Sequence, residues 1–231
     1  RDCLLSRGLG DVYKRQGFVD QDDLIDKTYY EKLYHAAQQA GAEIAVNGSY
    51  FNVKTFEPVT FVLLDRKIVG RTTPEEAFRT NGVIAFKDRK GRRMEIFPCD
   101  TTQYADVARR YRSALAAGPM LVRDGRSVEY DSEDSFYARR HPRTLIGKRA
   151  DGTVVMAVID GRFKGQGDGA TIAETAYIAR QLGLTEALNL DGGGSSTLWT
   201  AQEGVLNHPY DNRRFDHEGE RGVPNCIVVR R

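Results

Sequence analysis

The sequence predicts an α/β fold of the α+β kind: one domain built on a mixed, largely antiparallel multi-stranded sheet with two main helices. Three observations carry this. Most of the chain consists of short apolar or alternating runs separated by Asn-Gly, Asp-Gly and Gly-Pro breakers, the punctuation of hairpins. Two segments, 26–41 and 171–182, instead repeat apolar residues at helical spacing. At 231 residues, with 40% apolar and 10% aromatic side chains, the chain is long enough for one large core, and no repeat or linker divides it.

From Asp26 to Gly41, residues Tyr30, Leu33, Tyr34 and Ala37 recur at helical spacing, with Asp26 as cap and Gly41 as stop. The strand EIAVN follows and ends at NGSYF, where Asn47-Gly48 turns the chain sharply. Strands are expected at 59–64 and 67–71, then at 82–86 and 93–97 around the turn KDRKGR. Residues 101–117, rich in Ala and Arg, suggest a short helix before Gly118-Pro119. MLVRDGRSVEY reads as a hairpin across Asp124-Gly125, and RTLIGKRADGTVVMAVIDGR as another across Asp151-Gly152. After a glycine-rich loop, Thr171 and Glu174 form a capping box for an amphipathic helix to Leu182, which Gly183 ends. The strand EALNL then delivers Asp191 into a glycine run, and TLW, EGVL and NCIVV supply the last short strands.

Net charge is +2, from 34 basic and 32 acidic residues, so no global field points to nucleic acid or an anionic membrane. Any anion recognition is local. No run is long and apolar enough to span a membrane, and no secretory signal is legible. Cys3, Cys99 and Cys226 are too few for a disulfide framework; one Cys99–Cys226 bridge or two unpaired thiols are both open. Residues 1–16 show no clear helix or strand period and read as translated linker or adapter sequence, which leaves 17–231 as the domain. On that expectation the native start, with any export signal, lies outside this sequence.

Four clusters carry chemistry. In NLDGGGSST, residues 189–197, three glycines permit positive φ, so the amides of Gly192, Gly193 and Gly194 could converge on one oxygen beside Asp191, with Ser195 and Ser196 adding hydroxyls. Taken alone, such a run is more often a flexible turn. It has neither the lysine nor the following helix of a nucleotide loop. In HPRTLIG, Arg143 can grip a phosphate with two parallel donors, although a lone arginine is more often an ion-pair residue. VIDGR places Asp160 at a strand end with Arg162 two positions on. Asn47 of NGSYF either meets a sugar hydroxyl or holds its turn. His208 and His217 lie in the polar loop NHPYDNRRFDHEGER bordering these elements, where solvated histidines are the usual case.

Taken together, NGSYF, AAGPMLVRDG, RTLIG, VMAVIDGR, the capped helix, ALNLDGGGSSTLW and RGVPNCIVV resemble the phosphodiester glycosidase family over roughly residues 40–230. LNLDGGGSST is the most specific of these. The resemblance implies hydrolysis of a sugar-1-phosphodiester, N-acetylglucosamine-like, at the anomeric C–O bond. It implies Asp191, Asp160 and Arg143 as catalytic residues, and Asn47, Thr144, Arg162, Gly192, Gly193, Gly194, Ser195 and Ser196 as substrate contacts. A phosphorylated carbohydrate or microbial cell-wall glycan is the expected partner; the address is left open, with export, periplasmic or extracellular, the expectation that goes with a missing native start. No cofactor is demanded; a divalent cation between Asp160 and Asp191 is the one option the residues offer. Three other readings remain open on sequence: a non-catalytic phosphoglycan-binding module, a phosphoesterase that cleaves P–O with Ser195 or Asp191 as nucleophile, and a structural protein of cell-envelope assembly that keeps the fold.

Overall fold

The computed structural model describes residues 2–6, 32–88 and 93–230. The expected Asp26 cap, Tyr30 and the tip of the KDRKGR turn lie outside these. The expected fold class holds: strands dominate, and among the described residues they pair antiparallel in three five-stranded sheets. The first sheet runs β1 (Asp2–Ser6), β15 (Cys226–Arg230), β2 (Ile44–Asn47), β13 (Leu198–Thr200) and β14 (Gly204–Val205). The second runs β11 (Val154–Ile159), β10 (Arg143–Arg149), β12 (Leu184–Asn189), β8 (Met120–Arg123) and β9 (Arg126–Ser127). The third runs β4 (Lys67–Gly70), β3 (Val62–Leu64), β7 (Ser113–Ala117), β5 (Gly82–Phe86) and β6 (Met94–Pro98).

Strand alternation explains how three sheets share one core. Val46, Ile84, Phe86, Ile146, Leu188 and Ile227 point inward to a common cluster drawn from all three sheets. Their chain neighbours point outward, each set against a helix. Ala45 and Val228 meet α1 (Leu33–Gln39); Val83 and Ala85 meet α2 (Tyr104–Arg110); Leu145 and Ala187 meet α4 (Ile172–Gln181). Both faces of the central strands are therefore dry, which is why these segments read as continuous apolar runs. Truncating a residue such as Leu188 to alanine is expected to cost about 2–5 kcal/mol.

The helices start where the chain supplies acceptors. Thr171 and Glu174 close the capping box of α4, with Glu174 N to Thr171 Oγ1 at 3.1 Å and Thr171 N to Glu174 Oε2 at 2.9 Å. No local side chain caps α1; the carboxylate of Glu220 accepts the Tyr34 N–H at 3.1 Å from 186 residues away.

Three elements differ from expectation. Residues 113–117 form β7, a central strand between β3 and β5, and the helix before it ends at Arg110. Alanine favours helices in isolation, but SALAA is buried on both faces, and packing between two layers overrides propensity. A short helix, α3 (Ser135–Ala138), is capped by Asp134, whose side chain accepts the Phe136 N–H at 2.7 Å. Residues Asp2–Ser6 pair with β15 from Asp2↔Arg230 to Ser6↔Cys226. Edge pairing through backbone groups needs no side-chain period, so the sequence carried no sign of it. Cys99 and Cys226 are buried in different clusters and no bridge joins them.

Candidate active site at the strand ends

Sheet register brings the chemistry-bearing residues to one edge. β10 runs antiparallel to both β11 and β12, so its first residue lies beside their last ones: Arg143↔Ile159 on one side and Leu145↔Asn189 on the other. Asp160 and Asp191 therefore flank the start of β10, two strand spacings or roughly 10 Å apart along the backbone. β2 arrives at the same edge from the first sheet and β7 from the third.

Two buried asparagines fasten these ends. Asn47 Nδ2 donates to the Asp191 carbonyl at 2.7 Å, while its Oδ1 accepts Thr144 Oγ1 at 2.8 Å and Thr197 N at 3.1 Å. Asn189 Nδ2 donates to Tyr50 Oη at 3.1 Å and to the Gly118 carbonyl at 2.9 Å. Asn47 and Thr144, expected at the substrate, are fully buried, and together they tie the Asp191 main chain to the start of β10 and to Thr197. Gly48 is required at this junction, because a Cβ there would stand 2.0 Å from Asn225 Oδ1.

Asp191 keeps part of its surface open, yet its surroundings are dense enough that burial pushes its carboxyl up to about 6. Ser195, Arg79, Arg221 and the Gly192 amide pull the other way. The Gly192 N–H donates to Asp191 Oδ1 at 2.9 Å. The Ser195 hydroxyl lies close but makes no hydrogen bond of full geometry; it, Ser196 and Thr197 are buried hydroxyls without a partner among the described residues. Each of these arginines is paired with a carboxylate: Arg79 Nε donates to Glu76 Oε2 at 2.6 Å, and Arg221 Nε to Asp211 Oδ1 at 2.9 Å. The Arg79 guanidinium lies 4.0 Å from the Tyr50 ring centroid, and the Tyr50 hydroxyl donates to the Gly118 carbonyl. Burial raises the Tyr50 phenol far above its usual range, so it stays protonated.

The glycine run works differently from an open nest of amides. The Gly193 N–H donates to the Pro142 carbonyl at 3.0 Å and that of Gly192 is held by Asp191, so two of the three expected donors are engaged within the protein. The glycines instead make room. A Cβ on Gly193 would stand 3.1 Å from Arg162 Nη2, and one on Gly194 would stand 2.5 Å from Arg221 Nη2. Their small size lets two guanidinium groups lie across the loop beside Asp191. Arg162 itself has φ of 69° and its guanidinium lies 5.3 Å from the Tyr210 ring centroid.

Arg143 is buried, and its fork grips backbone: Nε donates to Ala170 O at 2.9 Å, and Nη2 to Phe136 O at 2.6 Å and Arg139 O at 3.2 Å. Burial brings its guanidinium down to about 10. It ties α3 to the loop before α4. Asp160 is likewise occupied: its carboxylate accepts Asn207 Nδ2 at 3.1 Å, the His208 N–H at 3.0 Å and His208 Nδ1 at 2.8 Å. An ionised carboxylate only accepts, so His208 carries its proton on Nδ1 and presents Nε2. The His208 ring is stacked on Phe215 at 3.7 Å. Asp160 is committed to this dyad, and β10 lies between its strand and that of Asp191; among the described residues no three His, Cys, Asp or Glu side chains cluster as a metal site.

Arg79, Tyr50 and Arg221 are the residues that motif reading passes over. Tyr50 lies inside NGSYF and Arg221 opens RGVPNCIVV, both motifs of the resemblance in which neither residue stands out; Arg79 alone stands in a polar stretch with no local mark. A separate groove of about 580 Å³, lined by Val128, Tyr130, Tyr137 and the first turn of α4, includes none of the residues around Asp191.

The phosphodiester glycosidase family model matches residues 40–230. The chain is 26% identical over 192 residues to the N-acetylglucosamine-1-phosphodiester alpha-N-acetylglucosaminidase of Mus musculus, across 78% of this chain and 35% of that protein. It is 35% identical over 125 residues to the SPbeta prophage-derived uncharacterized protein YomE of Bacillus subtilis (strain 168), across 53% of this chain and 18% of that protein. The chain thus spans 35% or less of the length of these curated relatives. Among solved structures, the catalytic domain of zebrafish N-acetylglucosamine-1-phosphodiester alpha-N-acetylglucosaminidase, auto-inhibited by its pro-peptide, matches with a TM-score of 0.68. That match covers 89% of this chain and 68% of the other at 18% identity, and shows a shared fold.

Proposed function

The chain belongs to the phosphodiester glycosidase family, and on that premise we propose that it hydrolyses a sugar-1-phosphodiester at the anomeric C–O bond. The sugar is N-acetylglucosamine or a close analogue, and the products are free sugar and a phosphomonoester. The observation that carries this reading is Asp191, a carboxyl at a strand end with its pKa raised to about 6 and with Arg79 and Arg221 on its flanks.

That arrangement suits the reaction. As the C1–O bond breaks, its electron pair leaves with the phosphate, and positive charge builds on the sugar ring. A phosphate leaves as an anion and needs little protonation, so guanidinium groups serve it better than a strong general acid. Arg79, with Arg162 and Arg221, faces that developing negative charge. Asp191, ionised above about pH 6, faces the positive ring, either attacking C1 or taking the proton of the water that does. The water oxygen becomes the anomeric hydroxyl. Ser195, one of the two nucleophiles that P–O cleavage could use, is fully buried, which leaves Asp191 as the group that either route would call on.

The test is ³¹P NMR during incubation with the methyl ester of N-acetylglucosamine-1-phosphate. Methyl phosphate and reducing sugar are expected. Sugar-1-phosphate with methanol would replace this reading with a phosphoesterase, and binding without turnover would replace it with a binding module.

A further inference from the structure

Among the described residues the three sheets have six edges, and five of them are blunted. β9 and β14 are two residues long, and β4 opens with Lys67 beside a register shift at Val62/Leu63. β6 carries Glu95 and ends in Pro98, and β1 opens with Asp2. β11 has none of these devices. Its six residues, VVMAVI, include no charge, proline or glycine, and its pairing with β10 runs without a bulge. Val154, Met156 and Val158 pack on the common core, and Val155 and Ala157 on the cluster beneath α4, so both faces of the strand are covered. All six residues are nevertheless partly exposed, and no strand among the described residues lies beyond β11. What stays open is the edge itself, a row of alternate N–H and C=O groups bordered by apolar side chains.

We propose that β11 is an interface with a second copy of this chain, paired antiparallel across a two-fold axis so that two five-stranded sheets join edge to edge. Charge points to that occupant. The strand offers no charged or polar side chain to select a foreign sequence, and it complements itself, apolar against apolar. Antiparallel pairing also brings its N-terminal flank, where Asp151 is exposed, beside the second copy's C-terminal flank, where Arg162 and Lys164 are exposed. Parity then restricts the register. A two-fold axis normal to the sheet preserves its faces, so residues opposite each other must lie on the same side. Only registers that set one residue against its own counterpart meet this condition; centred on the strand, these are Met156 on Met156 and Ala157 on Ala157. Because β11 runs directly into Asp160, the second copy's turn at Asp151-Gly152 comes to rest at the rim of the edge that carries the Asp160–His208 pair. A strand pair about 17 Å long buries less than the roughly 1,000 Å² of a stable complex, so the dimer is weak and concentration-dependent.

Sedimentation velocity of the full chain, from about 1 μM to about 200 μM, tests this. No substrate enters the measurement, so its outcome is separate from that of the glycosidase reading. A monomer–dimer equilibrium with a dissociation constant of about 10 μM is expected, weakened at least about tenfold by Ala157→Lys, which sets a charge on the edge. If circular dichroism shows that variant unfolded, Met156→Cys and Ala157→Cys with a short bis-maleimide decide the question. At least one of the two is expected to give crosslinked dimer above the wild-type level, because residues opposite each other in a strand pair hold their Cβ atoms about 5 Å apart. A monomer at every concentration overturns the interface, including one whose β11 amides resist hydrogen exchange because residues 7–31 of the same chain cover them. A dimer that a folded Ala157→Lys leaves intact, or that neither Cys variant traps, overturns it as well.

Discussion

His208 and Asp160 are joined twice, through the His208 backbone N–H at 3.0 Å from Oδ1 and the imidazole Nδ1 at 2.8 Å from Oδ2. The carboxylate sets both the place of residue 208 and the tautomer of its ring. On the proposed glycosidase reading, Asp160 is a positioning residue that acts through His208. Asp160→Asn and His208→Gln are each expected to lower kcat/KM about tenfold, and the double variant is expected to fall no further. Additive losses would show that Asp160 meets the substrate independently.

On the proposed reading, Asp191 is expected to set the acid limb of the rate profile. Its carboxyl is pushed up to about 6 by burial, and the ionised form is the one that attacks or takes a proton. Below that pH, kcat/KM is expected to fall about tenfold per unit. A profile flat down to pH 4.5 would remove Asp191 from the chemistry.

The same carboxyl links function to stability. Its folded pKa lies above its ordinary value of 3.8, so its protonated form favours folding. That contribution is complete below the unfolded value and is lost as pH rises through about 6. Asp191→Asn is thus expected to abolish turnover, by at least about a thousandfold, while raising stability near pH 7. The gain is at most about 3 kcal/mol, since Asp191 keeps some contact with solvent. Urea unfolding at pH 4 and pH 7 checks this: wild type should weaken between the two relative to the variant. A variant less stable than wild type at pH 7 would make Asp191 a structural residue.

Arg143→Lys keeps the charge and loses the fork. The three carbonyls of Phe136, Arg139 and Ala170 would share one ammonium in place of two directed nitrogens. Stability is expected to drop by about 2–4 kcal/mol, with activity falling because α3 shifts. Unchanged unfolding with a lower kcat would mean that Arg143 contacts substrate directly.

Legibility in the sequence follows the range of the interactions. The capped helix 172–181, the turns at Asp124-Gly125 and Asp151-Gly152, and the delivery of Asp191 to a strand end rest on neighbours a few residues apart, and each is present. β7 was hidden because alanines carry no strand signature and its state is set by β3 and β5. The site follows the same rule. Asn47 and Thr144 are distinctive locally, yet their roles as clamps arise from bonds spanning 97 residues or more. Arg79 becomes significant only through its packing on Tyr50 and Phe136 and its electrostatic influence on Asp191, all far away in sequence.

The central claim, cleavage at the anomeric carbon, is tested most directly by hydrolysing an N-acetylglucosamine-1-phosphodiester in oxygen-18 water and locating the label by mass spectrometry. The geometry around Asp191 predicts label in the free sugar and none in the phosphomonoester. Label in the phosphate would contradict it, placing the attack on phosphorus.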